Sequence, residues 1–512
     1  MFTQEEIDNI IKEALDQAYS NFYKKKFESV VVILEQLLKI DPNNHEANQL
    51  LGISYHALKR HDDAKKYFYK CLEIQPENIE TINNLALCYS SQYNYEKAID
   101  LLQQALKISP ESASILANLG LQYRHISDFE KAIECYKKSL VLRKIPTTLA
   151  MIGGCYGEMK NLHIAEKYIR EAIDLEPNFD AAYIDLASIL HLRGEWEEGF
   201  KAYEKRFDVF EQLKIWSKIY DPKDRWDGRD IKGKTLLVHM EQGNGDTIHF
   251  VRYLQLLKNK GIRIILHCSD VLMDICKDKA DEIFNLDPLQ IPHYEQEENK
   301  SIVPKHHFHC SLVSLPHLLK NPSIPTCPYI NIDKNIDMSS YEGMYKIGIV
   351  WAGNAQHPND RYRSCKLEEF REIYNLPNVK LFSLMKDYRA RTYDGKTIID
   401  LSTETNDMKI VDMSSYLTTY YETAKIINSL DLVVGVDTSV IHLAGAMKKP
   451  TLCLLPWNPD WRWGIEGKRT IWYPSVKLIR QEKRGIWKEP FDKALKIIKK
   501  ACGYSTRPYL SN

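Results

Sequence analysis

Apolar positions in the first part of the chain recur at intervals of three and four residues, the spacing that lines one face of a helix. Turn-like breaks interrupt them regularly. Pro42, Pro76 and Pro110 stand 34 residues apart, each closing an L-x-I-x-P type ending. Aligned on these prolines, Gly52, Ala86, Gly120, Gly153 and Ala187 share a column, with Tyr55, Tyr89, Tyr123 and Tyr156 three residues later. Small residues return at Ala64, Ala98, Ala132, Ala165 and Gly199. Small side chains in fixed register mean backbones in close approach, so each unit reads as a pair of antiparallel helices.

A 34-residue helix-pair repeat is the tetratricopeptide period. An earlier unit with Ala18, Phe27, Val30 and Leu37, and a last one ending near Phe207 with Leu190 in the tyrosine column, bring the array to about six repeats over residues 1–207. Stacked repeats present a concave surface that holds peptides or protein faces. This part therefore reads as a holder, with a protein or peptide as partner.

The pattern changes after a connector at 208–233, which carries Trp216, Pro222, Trp226 and Gly228. Short apolar runs now alternate with helical stretches: Leu236–Met240, Thr247–Leu257, Arg263–Cys268, Val271–Lys277 and Glu282–Leu286, then Phe308–Leu319. The alternation restarts at Tyr345 and runs through Lys346–Trp351, Val379–Leu384, Thr397–Leu401, a helix over Glu422–Ser429, Leu432–Val436, a helix over Val440–Met447, and Pro450–Leu455. Strand and helix in alternation predict parallel sheets with crossover helices. The expected architecture is an α-helical solenoid followed by two α/β lobes, at 234–340 and 341–502 with a closing C-terminal helix, and a tail at 503–512. Ligands of such sheets bind at the C-terminal strand ends.

Composition adds exclusions. Lysine plus arginine and aspartate plus glutamate each number 69 in 512 residues, so no net field gathers nucleic acid or anionic membrane. The eleven cysteines are scattered without C-x-x-C, which points to a reducing, cytoplasmic setting rather than disulfides or zinc. The N-terminal segment is acidic and amphipathic and no run approaches a membrane span, so neither export nor insertion is expected. Gly228–Thr235 spells G-R-D-I-K-G-K-T, formally a phosphate loop, but a β-like run follows it where such a loop must open a helix.

The candidate chemistry lies at strand ends. Glu241-Gln-Gly-Asn-Gly-Asp-Thr-Ile-His249 brings backbone close to a ligand at Gly243 and Gly245, sets Asp246 at a helix start, and puts Gln242 and His249 on the cleft or acceptor side. Asp246 is a general base or a helix cap. Val433-Val-Gly-Val-Asp-Thr-Ser-Val-Ile-His-Leu-Ala-Gly445 leads from a buried strand into a helix whose first amides, near Ser439 and Val440, favour a diphosphate. The competing reading is a plain capped helix with His442 satisfied in packing. After Ile347–Gly353, the loop Asn354–Ser364 offers Arg361 and Arg363, guanidinium donors for a leaving pyrophosphate or simply exposed charges. The chain has no D-x-D, so no metal is expected and cations with a helix dipole take its place.

G-D-T-I-H at 245–249 and V-D-T-S-V-I-H-L-A-G at 436–445, with L-P-W-N-P-D-W-R-W at 455–463, resemble the lipopolysaccharide heptosyltransferase superfamily (glycosyltransferase family 9-like), inverting transferases of GT-B fold, in the form attached to bacterial tetratricopeptide repeats. The architecture is also similar to protein O-GlcNAc transferase. The resemblance implies a nucleotide-sugar donor and no other cofactor, and makes Asp246 the base that deprotonates an acceptor hydroxyl. It gives Asp437, Thr438, Ser439, Val440 and His442 the donor sugar and phosphates. Gly353, Asn354 and Arg361 or Arg363 then serve the diphosphate. Where the family holds ribose on an acidic residue, this chain has Lys386 and Asp387. With repeats in place of a glycolipid site, the implied acceptor is a protein or peptide, such as a surface or flagellar protein. The alternative is a repeat scaffold whose transferase-like domain only binds a nucleotide or partner protein.

Overall fold

The computed structural model describes residues 3–241, 243–286, 303–320, 327–354, 360–386, 391–393, 396–399 and 407–504. They form two compact units, Met1–Ala182 and Tyr183–Asn512.

Helices alternate in antiparallel pairs, from Gln4–Tyr23 with Phe27–Ile40 to Asp180–Arg193 with Trp196–Tyr203. The small-residue columns explain the pairing. A Cβ built on Gly52 would lie 2.7 Å from the Phe68 ring, one on Gly120 2.7 Å from Tyr136, and one on Gly153 2.6 Å from Ile169. Each contact joins a first helix to the second helix sixteen residues on. Ala64, Ala98, Ala132 and Ala165 face back with no exposed surface. The tyrosine column ties neighbouring pairs through polar tips: Tyr69 and Tyr89 share a 2.7 Å hydrogen bond and Gln103 donates to the Tyr123 hydroxyl at 3.1 Å.

The boundary between the units falls before the sixth helix pair ends, earlier than Phe207. The expected connector is also folded. Helices Arg206–Val209 and Glu211–Ile219 are followed by Tyr220, Trp226 and Ile231, all buried in the second unit. The phosphate-loop look-alike runs into a strand, as its context required. Gly228 there has φ +89, and a Cβ would sit 2.5 Å from the Leu318 carbonyl oxygen.

The second unit holds two parallel sheets. The first contains β1 (Thr235–His239), β2 (Arg263–His267), β3 (Glu282–Phe284) and β4 (Phe308–Ser311) in the order β3-β2-β1-β4. Leu237 registers with Ile265 on one side and His309 on the other. The second contains β5 (Tyr345–Val350), β6 (Val379–Ser383), β9 (Val411–Asp412), β10 (Leu432–Val436), β11 (Thr451–Leu455) and β12 (Val476–Arg480), ordered β12-β11-β10-β5-β6-β9. Strands buried on both faces read as continuous apolar runs, as in Leu432-Val-Val-Gly-Val436. One expectation is corrected. The strand expected at Thr397–Leu401, of which residues 397–399 are described, does not join this sheet: β8 (Lys396–Ile399) pairs antiparallel with β7 (Arg391–Tyr393), and β9 takes the edge beside β6. The helix Lys488–Ala501 closes the lobe against β12. The result is the pair of Rossmann-type α/β lobes expected from the alternation, consistent with the GT-B architecture that the resemblance implied.

Candidate active site

Between the lobes of the second unit lies a cleft of about 1130 Å³. Its first-lobe wall starts at Glu241, after β1. The Glu241 carboxylate is buried and takes Arg206 Nε at 2.9 and 3.1 Å, while Arg206 also donates to Ser314 Oγ at 2.8 Å and Glu204 at 2.7 Å. This network fixes the start of the glycine loop. Gly243 caps the helix Asn244–Phe250 and Asp246 occupies its first turn. Gly245 lets this helix meet its counterpart from the other lobe: a Cβ there would lie 3.3 Å from His442 Cδ2 and 3.6 Å from Ser439 Cα.

Asp246 keeps 21% of its side-chain surface open, and its Oδ1 accepts a hydrogen bond from Arg462 Nη2. Burial pushes its pKa up, and the Arg462 charge pulls it back only in part. Its own backbone N–H donates to the Gly243 carbonyl at 3.0 Å. The helix is capped by Gly243, and Asp246 is a carboxylate more basic than an exposed one.

The second lobe supplies Asp437, Thr438, Ser439, Val440 and His442 after β10, all at the cleft. Thr438 precedes the helix Ser439–Ala446 without capping it by its side chain, and its Oγ1 is buried with no hydrogen-bond partner. Tyr420 donates to Ser439 Oγ at 2.7 Å. Burial, reinforced by the nearby Asp460 charge, raises Asp437 to about 6. Burial and Arg462 lower His442 to about 3, so the ring is neutral. Gly353 and Arg363 interlock, because a Cβ on Gly353 would strike Arg363 Nη2 at 2.5 Å. Asp360, fully buried, holds Ser364 Oγ at 2.8 Å and Arg363 Nε at 3.4 Å. Asn354 and Lys386 stand exposed at the rim.

Arg462 is the residue the sequence reading missed. It lies in a short 3-10 turn, Trp461–Trp463, capped by Asp460, and donates to Asp460 Oδ1 at 2.9 Å and to Asp246. Its Nε has no partner. The flanking tryptophans hold it in place: Trp461 packs on His191 at 4.6 Å and Trp463 stacks on His442 at 5.1 Å. The available signal was the Asp460-Trp-Arg-Trp463 run, a charged side chain between two aromatic rings of which Trp463 is buried. Tyr203, Phe210 and Glu241 also line the first-lobe side unforeseen.

The family model described as glycosyltransferase family 9 (heptosyltransferase) matches residues 380–473, and tetratricopeptide-repeat models match 45–111, 84–146 and 146–179. The chain carries a glycosyltransferase family 9 domain behind tetratricopeptide repeats. A curated relative, protein FlbA of Caulobacter vibrioides, is 23% identical over 321 residues, 59% of this chain. The chain spans about half (52%) of that relative's length. Among solved structures, a thermophilic tetratricopeptide protein of Thermus thermophilus is similar at 20% identity, covering 35% of this chain and 98% of its own, with a TM-score of 0.32. PilF of Pseudomonas aeruginosa is similar at 18% identity, covering 40% and 93%, with a TM-score of 0.35.

The family 9 match includes Lys386, Asp437, Thr438, Ser439, Val440, His442, Asp460 and Arg462, while Asp246, Gly353 and Arg363 lie before it. Two of the proposed site residues fall outside the described atoms: Gln242, and the Arg361 side chain. His249 is corrected. It is fully buried behind the cleft wall, its Nδ1 2.9 Å from the Tyr473 hydroxyl and its ring against Trp472 at 4.7 Å, because the helix that carries Asp246 is packed on both flanks. Among the described residues no group of three or more His, Cys, Asp or Glu side chains is placed to hold a metal ion, and no helix is long and apolar enough to cross a membrane.

Proposed function

We propose that the family 9 domain transfers a sugar, with inversion and without a metal, from a nucleotide-sugar donor to a hydroxyl of a protein or peptide held by the repeats. The observation that carries this reading is the meeting, in one cleft, of a raised-pKa carboxylate from the first lobe and, from the second, a helix start with the unpartnered Thr438 Oγ1 and, on a separate turn, the unpartnered Arg462 Nε. Asp246 takes the proton of the acceptor hydroxyl as its oxygen bonds to the anomeric carbon. The bond from that carbon to the diphosphate breaks, and its electron pair leaves with the diphosphate. The Ser439 and Val440 amides, Arg363, Lys386 and Arg462 receive the leaving charge. By occupying one carboxylate oxygen, Arg462 opposes the effect of burial on Asp246 and aims the other oxygen.

Asp246→Asn tests it. General-base help is commonly worth about 10²–10⁴-fold, so turnover should fall by that factor while nucleoside diphosphate affinity is kept. Turnover near wild type removes the base assignment. The Asp246–Arg462 ion pair also suits a second reading, a domain that binds nucleotide without catalysis. Donor-dependent labelling of acceptor by the wild type and not by Asp246→Asn separates the two.

A further inference from the structure

Behind the cleft, two histidines share one phenol. His249, on the first lobe's Asn244–Phe250 helix, and His442, on the second lobe's Ser439–Ala446 helix, each place Nδ1 2.9 Å from the Tyr473 hydroxyl. His249 and Tyr473 have no exposed surface and His442 has 7%. The protons here are therefore set by the protein rather than by bulk water.

A phenol has one proton to give and lone pairs to fill, and a neutral imidazole has one protonated nitrogen. Tyr473 cannot donate to both rings, so at least one ring brings its own Nδ1–H. The far nitrogens decide which. His249 Nε2 has no hydrogen-bond partner. A proton there would be a buried N–H without an acceptor, the costly kind of orphan, whereas a proton on Nδ1 is used by Tyr473. His442 Nε2 instead sits 3.7 Å from Asp437 Oδ1 at the cleft, where a lone pair would face a carboxylate and an N–H would be welcome. The neighbouring Tyr329, whose hydroxyl also meets that of Tyr473, has no proton to lend. It gives its own to the Ile248 carbonyl at 3.0 Å and receives Arg252 Nη2 at 2.8 Å.

We propose that His249 and Tyr473 are positioning residues that hold His442 as its Nε2–H tautomer, a fixed hydrogen-bond donor to a phosphate or hydroxyl oxygen of the nucleotide-sugar. The order runs from His249 Nδ1–H to the Tyr473 oxygen, from the Tyr473 O–H to His442 Nδ1, and from His442 Nε2–H into the cleft. His249 belongs to the first lobe and the other two to the second, so lobe contact sets the state of a donor-binding group. The role given to His442 rests on the transferase reading; the proton order does not.

Long-range NMR correlations in full-length, ligand-free protein labelled with ¹⁵N-histidine test it, with His442 assigned by His442→Gln. His442 should carry its proton on Nε2. Tyr473→Phe and His249→Leu should each give a mixture of tautomers, and His249→Asn, whose amide keeps a donor near the Nδ1 position, should restore the wild-type pattern. Adenosine, guanosine, uridine and thymidine diphosphates are then titrated. Losing one such bond is worth about tenfold, so Kd for whichever diphosphate the wild type binds should rise about that much in Tyr473→Phe and little in His249→Asn. A wild-type His442 protonated on Nδ1, with Tyr473 donating to Tyr329, overturns the proposal, as does a pattern unchanged in both Tyr473→Phe and His249→Leu. The expected tautomer with no diphosphate bound by the wild type would count against the transferase reading and leave the proton order standing.

Discussion

The two units solve the problem of burying polar groups in opposite ways. In the repeats the ties join neighbouring helix pairs and one spacing recurs, as with Tyr69 to Tyr89 and Gln103 to Tyr123, each spanning twenty residues. In the α/β unit the ties are unique and long in sequence, as with Arg206 to Ser314 or His249 to Tyr473. Repetition spreads the load across the array, whereas a unique buried network concentrates it on a few atoms. Nature's own labels make the difference measurable, because all nine tryptophans lie beyond residue 182. Tryptophan fluorescence therefore reports the second unit alone.

The largest contrast is expected at Arg206. Its guanidinium is wholly buried between Glu241 and Glu204. Arg206→Ala leaves the Glu241 carboxylate uncompensated, which typically costs about 3–5 kcal/mol. The tryptophan-detected urea transition should move by that amount. Gln103→Ala, which cuts a partly exposed tie in the repeats, should cost under about 1 kcal/mol in helical circular dichroism. Equal losses in the two variants would erase the proposed difference between shared and concentrated support.

Acid should separate the units next. Unfolded histidines bind protons near pH 6.5. Burial lowers His267 to about 4 and His191 to about 3, and also lowers His239 well below its usual range, with His309 beside it adding repulsion. Between those values and 6.5 the unfolded chain holds more protons than the folded one, so stability falls as pH falls. At 1.36 kcal/mol for each pH unit crossed, one such histidine loses about 2 kcal/mol between pH 6.5 and 5. In the first unit, His56 is shifted in this sense, and it is half-buried. The tryptophan transition should weaken from pH 7 to 5 well before the helical signal of the repeats does. A tryptophan transition insensitive to pH across that range would show that these rings are already charged or released.

The same contrast explains what was legible in the sequence. Columns at Gly52, Gly120 and Ala64 announced helix pairs, because close approach demands small residues at a fixed period and nothing distant enters the argument. At the cleft, Gly243, Asp246 and Asp437 were visible as strand-end motifs. Arg462 was not, because its role depends on Asp246, 216 residues away, meeting it across the cleft. His249 misled for a related reason: three residues from Asp246 it shares that helix's cleft-ward side in sequence, but Tyr473 from the other lobe covers it. Lys396–Ile399 has the composition of a sheet strand, yet its partner is decided by which edge is free.

The smallest effect concerns turns that the sequence hid. Lys25, Lys59, Tyr93, Ser127 and Lys160 all have positive φ, between 56° and 65°, at the end of each pair's first helix, and Gly194 takes the equivalent place at 81°. Backbone closes each turn: Arg60, Asn94, Asp128 and Asn161 donate N–H to the carbonyls of Tyr55, Tyr89, Tyr123 and Tyr156 at 2.8–2.9 Å, as Lys26 does to Asn21 and Glu195 to Leu190. A residue other than glycine is strained there by about 1 kcal/mol, so no glycine signal marked these turns. Ser127→Gly removes that strain, but glycine also loosens the unfolded chain by about 0.4–1 kcal/mol. The net gain should be under about 1 kcal/mol in the helical transition, with the tryptophan signal unmoved. Gly194→Ala should lose a comparable amount, and on the tryptophan side. A loss on Ser127→Gly would mean that the Ser127 side chain, rather than the array's shared hydrogen bonds, sets the turn.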